Sequence, residues 1–144
     1  MPFYAGQRLT AGQMGRIQPR PTTAVGTATL TGPQTNADIP GATVTVTTET
    51  ANATYKALAV FDLRATIAST GTALGRMSLD GVPQNPLATY NTPAASGRAT
   101  VVQVYQGTLP TVGSHTLKLV ATLAASQEAV GVNSSIMVDI LEVI

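Results

Sequence analysis

Between Thr54 and Ala68 the chain changes face at every residue. Tyr55, Ala57, Ala59, Phe61, Leu63, Ala65 and Ile67 fall on one side, and Lys56, Asp62, Arg64 and Thr66 on the other. A repeat of two belongs to a β-strand, whose successive side chains point to opposite faces. Similar runs follow the same rule. Ser114–Ala124 sets Leu117, Leu119, Ala121 and Leu123 against Thr116, Lys118 and Thr122, and Thr43–Thr48 alternates Thr with Val. Further strands are expected over Thr22–Thr31, Thr72–Leu79, Leu87–Asn91, Arg98–Gly107 and Ser134–Ile144. Pro33, Pro40, Pro83, Pro86, Pro93 and Pro110 lie between these segments, as they should, because proline cannot donate to a ladder. No segment shows a sustained helical period with caps, and Ala121–Val130 reads as a loop. The expectation is all-β: a jelly-roll β-sandwich of about eight antiparallel strands.

The 144 residues suffice for one domain, and a domain of this size buries roughly 70% of the surface of its unfolded chain. Only 10% of residues are charged and the formal net charge is +1. That is little charge for a free monomer and fits a chain that covers part of its outside with partners. The chain has no cysteine, which excludes disulfides and thiolate metal sites. Met1-Pro2-Phe3-Tyr4 lacks the basic start of a secretory signal. No apolar run approaches the roughly 20 residues that cross a bilayer. Neither a nucleic-acid nor a membrane partner is expected from this charge.

Residues 1–22 differ from the rest. They hold Arg8, Arg16 and Arg20 and no acid, so residues 23–144 carry five bases against seven acids. Gly6, Gly12, Gly15, Pro19 and Pro21 break any period. The segment reads as an extended arm ahead of a β-sandwich domain over 23–144; a frayed terminus is the plain alternative. Phe3, Tyr4, Leu9, Met14 and Ile17 favour the arm, because a loose tail has no use for apolar anchors. With the three arginines they form the candidate attachment site for a partner surface.

The last strand is apolar on both sides. Ile136, Val138 and Ile140 point one way, and Met137, Leu141 and Val143 the other. One face packs the core; the other packs a neighbour or lies beneath a loop.

Catalytic chemistry finds no purchase. Ser114 and His115 are strand neighbours facing opposite ways, so they cannot form a nucleophile pair. Asp62 and Arg64, two apart on one face, read as a surface ion pair. The remaining acids have no metal-ligand spacing, Gly12-Gln13-Met14-Gly15 lacks the lysine of a phosphate loop, and no cofactor is expected. Asn52-Ala53-Thr54 and Asn133-Ser134-Ser135 match the glycosylation pattern but lack a secretory context. Aromatics are 4% of the chain and Trp is absent, which leaves no stacking platform for bases or sugars.

Phe3-Tyr4-Ala5-Gly6-Gln7-Arg8-Leu9-Thr10-Ala11-Gly12-Gln13-Met14 resembles the opening of virion proteins of actinobacterial phages, commonly minor tail or fibre proteins, which by itself favours the tail. Gly113–Leu119 and Asn133–Val143 resemble the last two strands of phage domains similar to the C1q and tumour-necrosis-factor jelly roll. Together these stretches cover about a third of the chain. The resemblance implies a virion structural protein, assembled in the bacterial cytoplasm, whose partners are its own copies and the major capsid or tail proteins. It also implies a homotrimer, with Met137, Leu141 and Val143 near the threefold axis. The chain has no shaft such as a fibre needs. A trimeric capsid decoration protein held by its arm is therefore expected first, and a short minor tail or tail-tip protein with a role in host attachment second.

Overall fold

The computed structural model describes residues 8–67, 71–91 and 97–142. Within them two β-sheets face each other. The strands are β1 (Arg20–Val25), β2 (Leu30–Thr31), β3 (Gln34–Thr48), β4 (Ala53–Ala65), β5 (Thr72–Leu79), β6 (Val82–Pro83), β7 (Ala88–Asn91), β8 (Arg98–Leu109), β9 (Gly113–Leu123), β10 (Gln127–Ala129) and β11 (Ser135–Leu141). A six-stranded sheet runs β1-β11-β4-β10-β2, with β8 also paired to β4. A five-stranded sheet runs β3-β9-β5-β6, with β7 also paired to β5. The pairings are antiparallel throughout, and the architecture is the jelly-roll β-sandwich expected from the sequence.

The core lies between the sheets. From β4 it takes Tyr55, Ala57, Ala59, Phe61, Leu63 and Ala65, the face read from the alternation. Met77, Leu117, Leu119 and Tyr105 meet them from the opposite sheet and from β8, and Ile136, Val138 and Ile140 complete the layer. The alternation ends one step early: Ile67 lies beyond β4 and is 60% exposed. One close approach sets the spacing between sheets. A Cβ on Gly75 of β5 would stand 2.5 Å from the Phe61 ring, so the bulk of Phe61 is accommodated by the absence of a side chain opposite it.

Several boundaries differ from those expected. Thr22–Thr31 is two strands, β1 and β2, and β1 begins at Arg20. Three prolines lie within strands: Pro21 in β1, Pro40 in β3 and Pro83 in β6. β1 and β3 end the strand orders of their sheets, where one side needs no donor. Pro40 also sits where the β3–β9 register breaks, between Asp38 and Thr43, so the ladder asks no hydrogen from it. The loop expected over Ala121–Val130 contains β10, which pairs with both β4 and β2. Three residues of ladder are too short to announce themselves by periodicity. The arm contains a helix, α1 (Ala11–Arg16), closed by a capping box in which Thr10 and Gln13 bond each other's backbone N–H. The spacing Thr-x-x-Gln was visible in the sequence; a helix of six residues is too short to show a period.

Candidate assembly surface

The arm is tied down at its base. Glu142, just after β11, has a fully buried side chain. Its Oε2 accepts from the backbone N–H groups of Glu49 and Thr50, both at 3.0 Å, and from the Thr50 hydroxyl at 3.1 Å. Its Oε1 accepts from the Arg20 guanidinium. The Glu142 N–H donates to the Arg16 carbonyl at 3.3 Å, and the Arg16 guanidinium reaches Glu49 at 2.5 Å. One carboxylate thus joins the arm, the β3–β4 turn and the end of β11. Burial alone would raise the Glu142 pKa. The Glu49 N–H, the Thr50 side chain and Arg20 outweigh it and hold the carboxyl below the usual glutamate range.

Two of the three arm arginines therefore spend their charge inside the chain. Arg8 is exposed, with no ion pair among the described residues. Leu9 is half-buried, and Met14 and Ile17 are exposed at 49% and 38%. None of the α1 residues is buried, so the helix keeps its apolar side chains available. Phe3, Tyr4 and Val143 lie outside the described residues.

The outer faces of the two sheets contrast. On the five-stranded sheet, Thr43, Thr45 and Thr47 of β3 stand beside Thr116 and Lys118 of β9. Lys118 pairs with Asp38 at 2.6 Å. On the six-stranded sheet, direct antiparallel partners share a face, so the registers give its outer surface in rows. Across β1, β11, β4 and β8 one row reads Thr23, Met137, Leu58, Val104. The next reads Val25, Ser135, Val60, Val102, and on the other side comes Pro21, Asp139, Lys56, Gln106. Val25, Leu58, Val102, Val104, Met137 and Leu141 are each 36–55% exposed. Beside them a groove of about 660 Å³ runs over Lys56, Asp139, Gln106 and Leu141, walled by Pro19 of the arm.

Met137 and Leu141, assigned from the sequence to an intersubunit contact, lie on this outer face. Val25, Leu58, Val102 and Val104 were missed. The signal was present in Ala57-Leu58-Ala59-Val60-Phe61, an unbroken apolar run, which marks a strand whose two faces are both apolar.

The polar clusters are structural. The Asp62–Arg64 pair expected from the sequence does not form. Asp62 is buried and accepts from Arg98 and Asn133, while Arg64 pairs with Glu128 at 2.6 Å. Arg64 stands directly across from Arg98 on β8 and from Glu128 on β10, so cross-strand neighbours win over residues two apart on one strand. The bonds from Arg98, ahead of the opposing cost of burial, hold the Asp62 carboxyl below its usual range. His115 is 4% exposed on β9, while Ser114 points outward. Its Nδ1 meets the Asp80 carboxylate at 2.7 Å and its Nε2 the Thr111 carbonyl at 2.9 Å. Both partners are acceptors, so the protonated ring satisfies both; Asp80 first, and then Thr111, raise its pKa. Among the described residues there is no cluster of three or more His, Asp or Glu arranged to hold a metal. Among the same residues no helix is long and apolar enough to cross a membrane.

The fold and this surface define a jelly-roll β-sandwich module. No family model matches the chain, and no curated protein does. Solved structures with a similar strand arrangement include the dimeric latent PorU from Porphyromonas gingivalis, at 13% identity and a TM-score of 0.49. The match covers 85% of this chain and 12% of PorU, so the chain spans about an eighth of that protein's length. The CBM36-1 domain of a multidomain xylanase from the hindgut metagenome of Trinervitermes trinervoides is similar at 14% identity and a TM-score of 0.40, over 86% of this chain and 98% of that domain. The EclA C-terminal domain, a sugar-binding protein, is similar at 15% identity and 0.37, over 94% and 84%.

Proposed function

We propose that the chain is a non-enzymatic structural module of a phage particle, decorating the capsid surface and seated there by its N-terminal arm. The observation that carries this is the contrast between its two outer faces. One is threonine and charge; the other is a continuous apolar field on the order of 400 Å² over six side chains, the size at which an exposed patch on a monomer marks an interaction site. The arm supports the reading: it is clamped at its base through Glu142 and presents Met14 and Ile17 outward. The opening Phe3–Met14, which resembles virion proteins, points to the particle. The alternative is a short minor tail or tail-tip protein with a role in host attachment, which the same arm would serve.

Electron cryo-microscopy of particles whose copies of this chain carry a bulky C-terminal tag tests the proposal. Density distributed over the shell is expected. Density confined to the tail favours the alternative, and particles without the tag overturn both. Replacing Met14 and Ile17 together by Ser should lower occupancy on the particle by tenfold or more, since each buried apolar anchor is worth roughly 1.5–3 kcal/mol.

A further inference from the structure

The rows on the outer face of the six-stranded sheet have a symmetry of their own. The four strands β1, β11, β4 and β8 lie side by side, since Thr54–Val60 pairs with β11 on one edge and with β8 on the other. Consider a twofold axis lying in that face, parallel to the strands and midway between β11 and β4. It sets β4 over the partner's β11 and β8 over the partner's β1. Each cross-strand pair then maps onto itself. Leu58 meets the partner's Met137, and Val102 meets the partner's Val25. Lys56 meets the partner's Asp139, and the reverse pair forms on the other side of the axis. Two apolar pairs and one pair of opposite charges fall together, while Val104 meets the partner's Thr23 and Val60 the partner's Ser135. Neither Lys56 nor Asp139 has an ion pair among the described residues, so both charges are free to be matched from outside.

We propose that a second copy of this chain covers this face, sheet on sheet, about that twofold axis. Four strands about 4.8 Å apart and seven ladder positions at roughly 3.4 Å span about 19 by 24 Å. That is about 450 Å² from each copy, the extent of a weak pairing seen at tens of micromolar rather than the roughly 800 Å² that one partner gives to a standard interface. The right-handed twist of each sheet turns the strand directions about 30° apart, the usual angle for aligned sheets, and keeps the central rows in contact. An isologous contact of this kind closes at two copies. The pairing takes up the apolar face on which the particle reading rests and leaves the arm as the seat on the particle; a failed pairing leaves that face open to the particle.

The chain has no cysteine, which makes cross-linking selective. Val25 and Val102 of one chain are three strand spacings apart, about 14 Å, beyond the reach of a disulfide. Val25→Cys and Val102→Cys chains are mixed at tens of micromolar and oxidised. A disulfide-linked heterodimer is expected, and neither variant should link to itself. Light scattering of the parent chain should give two protomers, and Leu58→Asp should give one with an unchanged far-UV spectrum. Should Leu58→Asp misfold, charge reversal decides: Lys56→Asp or Asp139→Lys alone weakens pairing roughly tenfold, and the two together restore it. A parent chain monomeric at tens of micromolar, or no mixed disulfide, overturns the proposal. A trimer does so too, and would return Met137 and Leu141 to the threefold contact expected from the sequence.

Discussion

Glu142→Ala is the substitution expected to test the arm most directly. The carboxylate accepts two backbone N–H bonds, one hydroxyl and a guanidinium, with its own side chain fully buried. A neutral bond is worth about 1 kcal/mol net and a charge-assisted one roughly 1.5–3. Arg20 is 42% exposed and Glu49 is on the surface, so water recovers part of what is lost. The expected loss is about 3 kcal/mol for Ala, or roughly 10 °C in the thermal midpoint for a domain of this size. Glu142→Gln, which keeps one acceptor and the volume, should lose about half as much. The pH dependence has a definite sign. Because the folded pKa lies below the ordinary value, the stabilisation is present above that ordinary value and lost as pH falls through the lowered one. The Gln variant should lose this acid limb. Urea titration gives the free energy, and trypsin cleavage after Arg16 reports release of the arm. A Glu142→Ala chain whose midpoint stays within about 1 °C of the parent would refute the clamp.

His115 predicts the opposite limb. Its pKa is raised by Asp80 and Thr111, so its contribution is full below the usual histidine range and lost as pH rises through the elevated value. Thermal midpoints should fall between pH 6 and pH 9, and His115→Asn should flatten that slope. Gly75→Ala should cost about 1–3 kcal/mol, because the added methyl meets the Phe61 ring at 2.5 Å; Gly12→Ala, with open space around its Cβ, is the control. Deletion of residues 1–15 should leave the thermal transition nearly unchanged, since α1 buries nothing. Deletion of 1–20 should lower it by several degrees, because it removes the start of β1 and the cation bound to Glu142.

The alternation in Thr54–Ala68 and Ser114–Ala124 was enough to place two central strands and their buried faces, because period two is a local property that any register preserves. β5, expected at Thr72–Leu79, has those limits in the structure. The prolines marked the turns except where strands end their sheets or a ladder breaks, and whether a strand is at an edge is a fact about its neighbours. The same limit explains the ion pairs. Asp62 finds Arg98 thirty-six residues away, and Arg64 finds Glu128, because pairing across strands brings together residues that spacing along the chain cannot. In the sequence Glu142 stands between Leu141 and Val143; only the meeting of the arm, the β3–β4 turn and β11 makes it a buried hub. Apolar residues on both faces of β11 were legible by themselves. That Val25, Leu58, Val102 and Val104 extend them into one field, with Lys56 beside Asp139, was decided by the β1-β11-β4-β8 registers, since a surface is an arrangement of strands and a sequence specifies each strand alone.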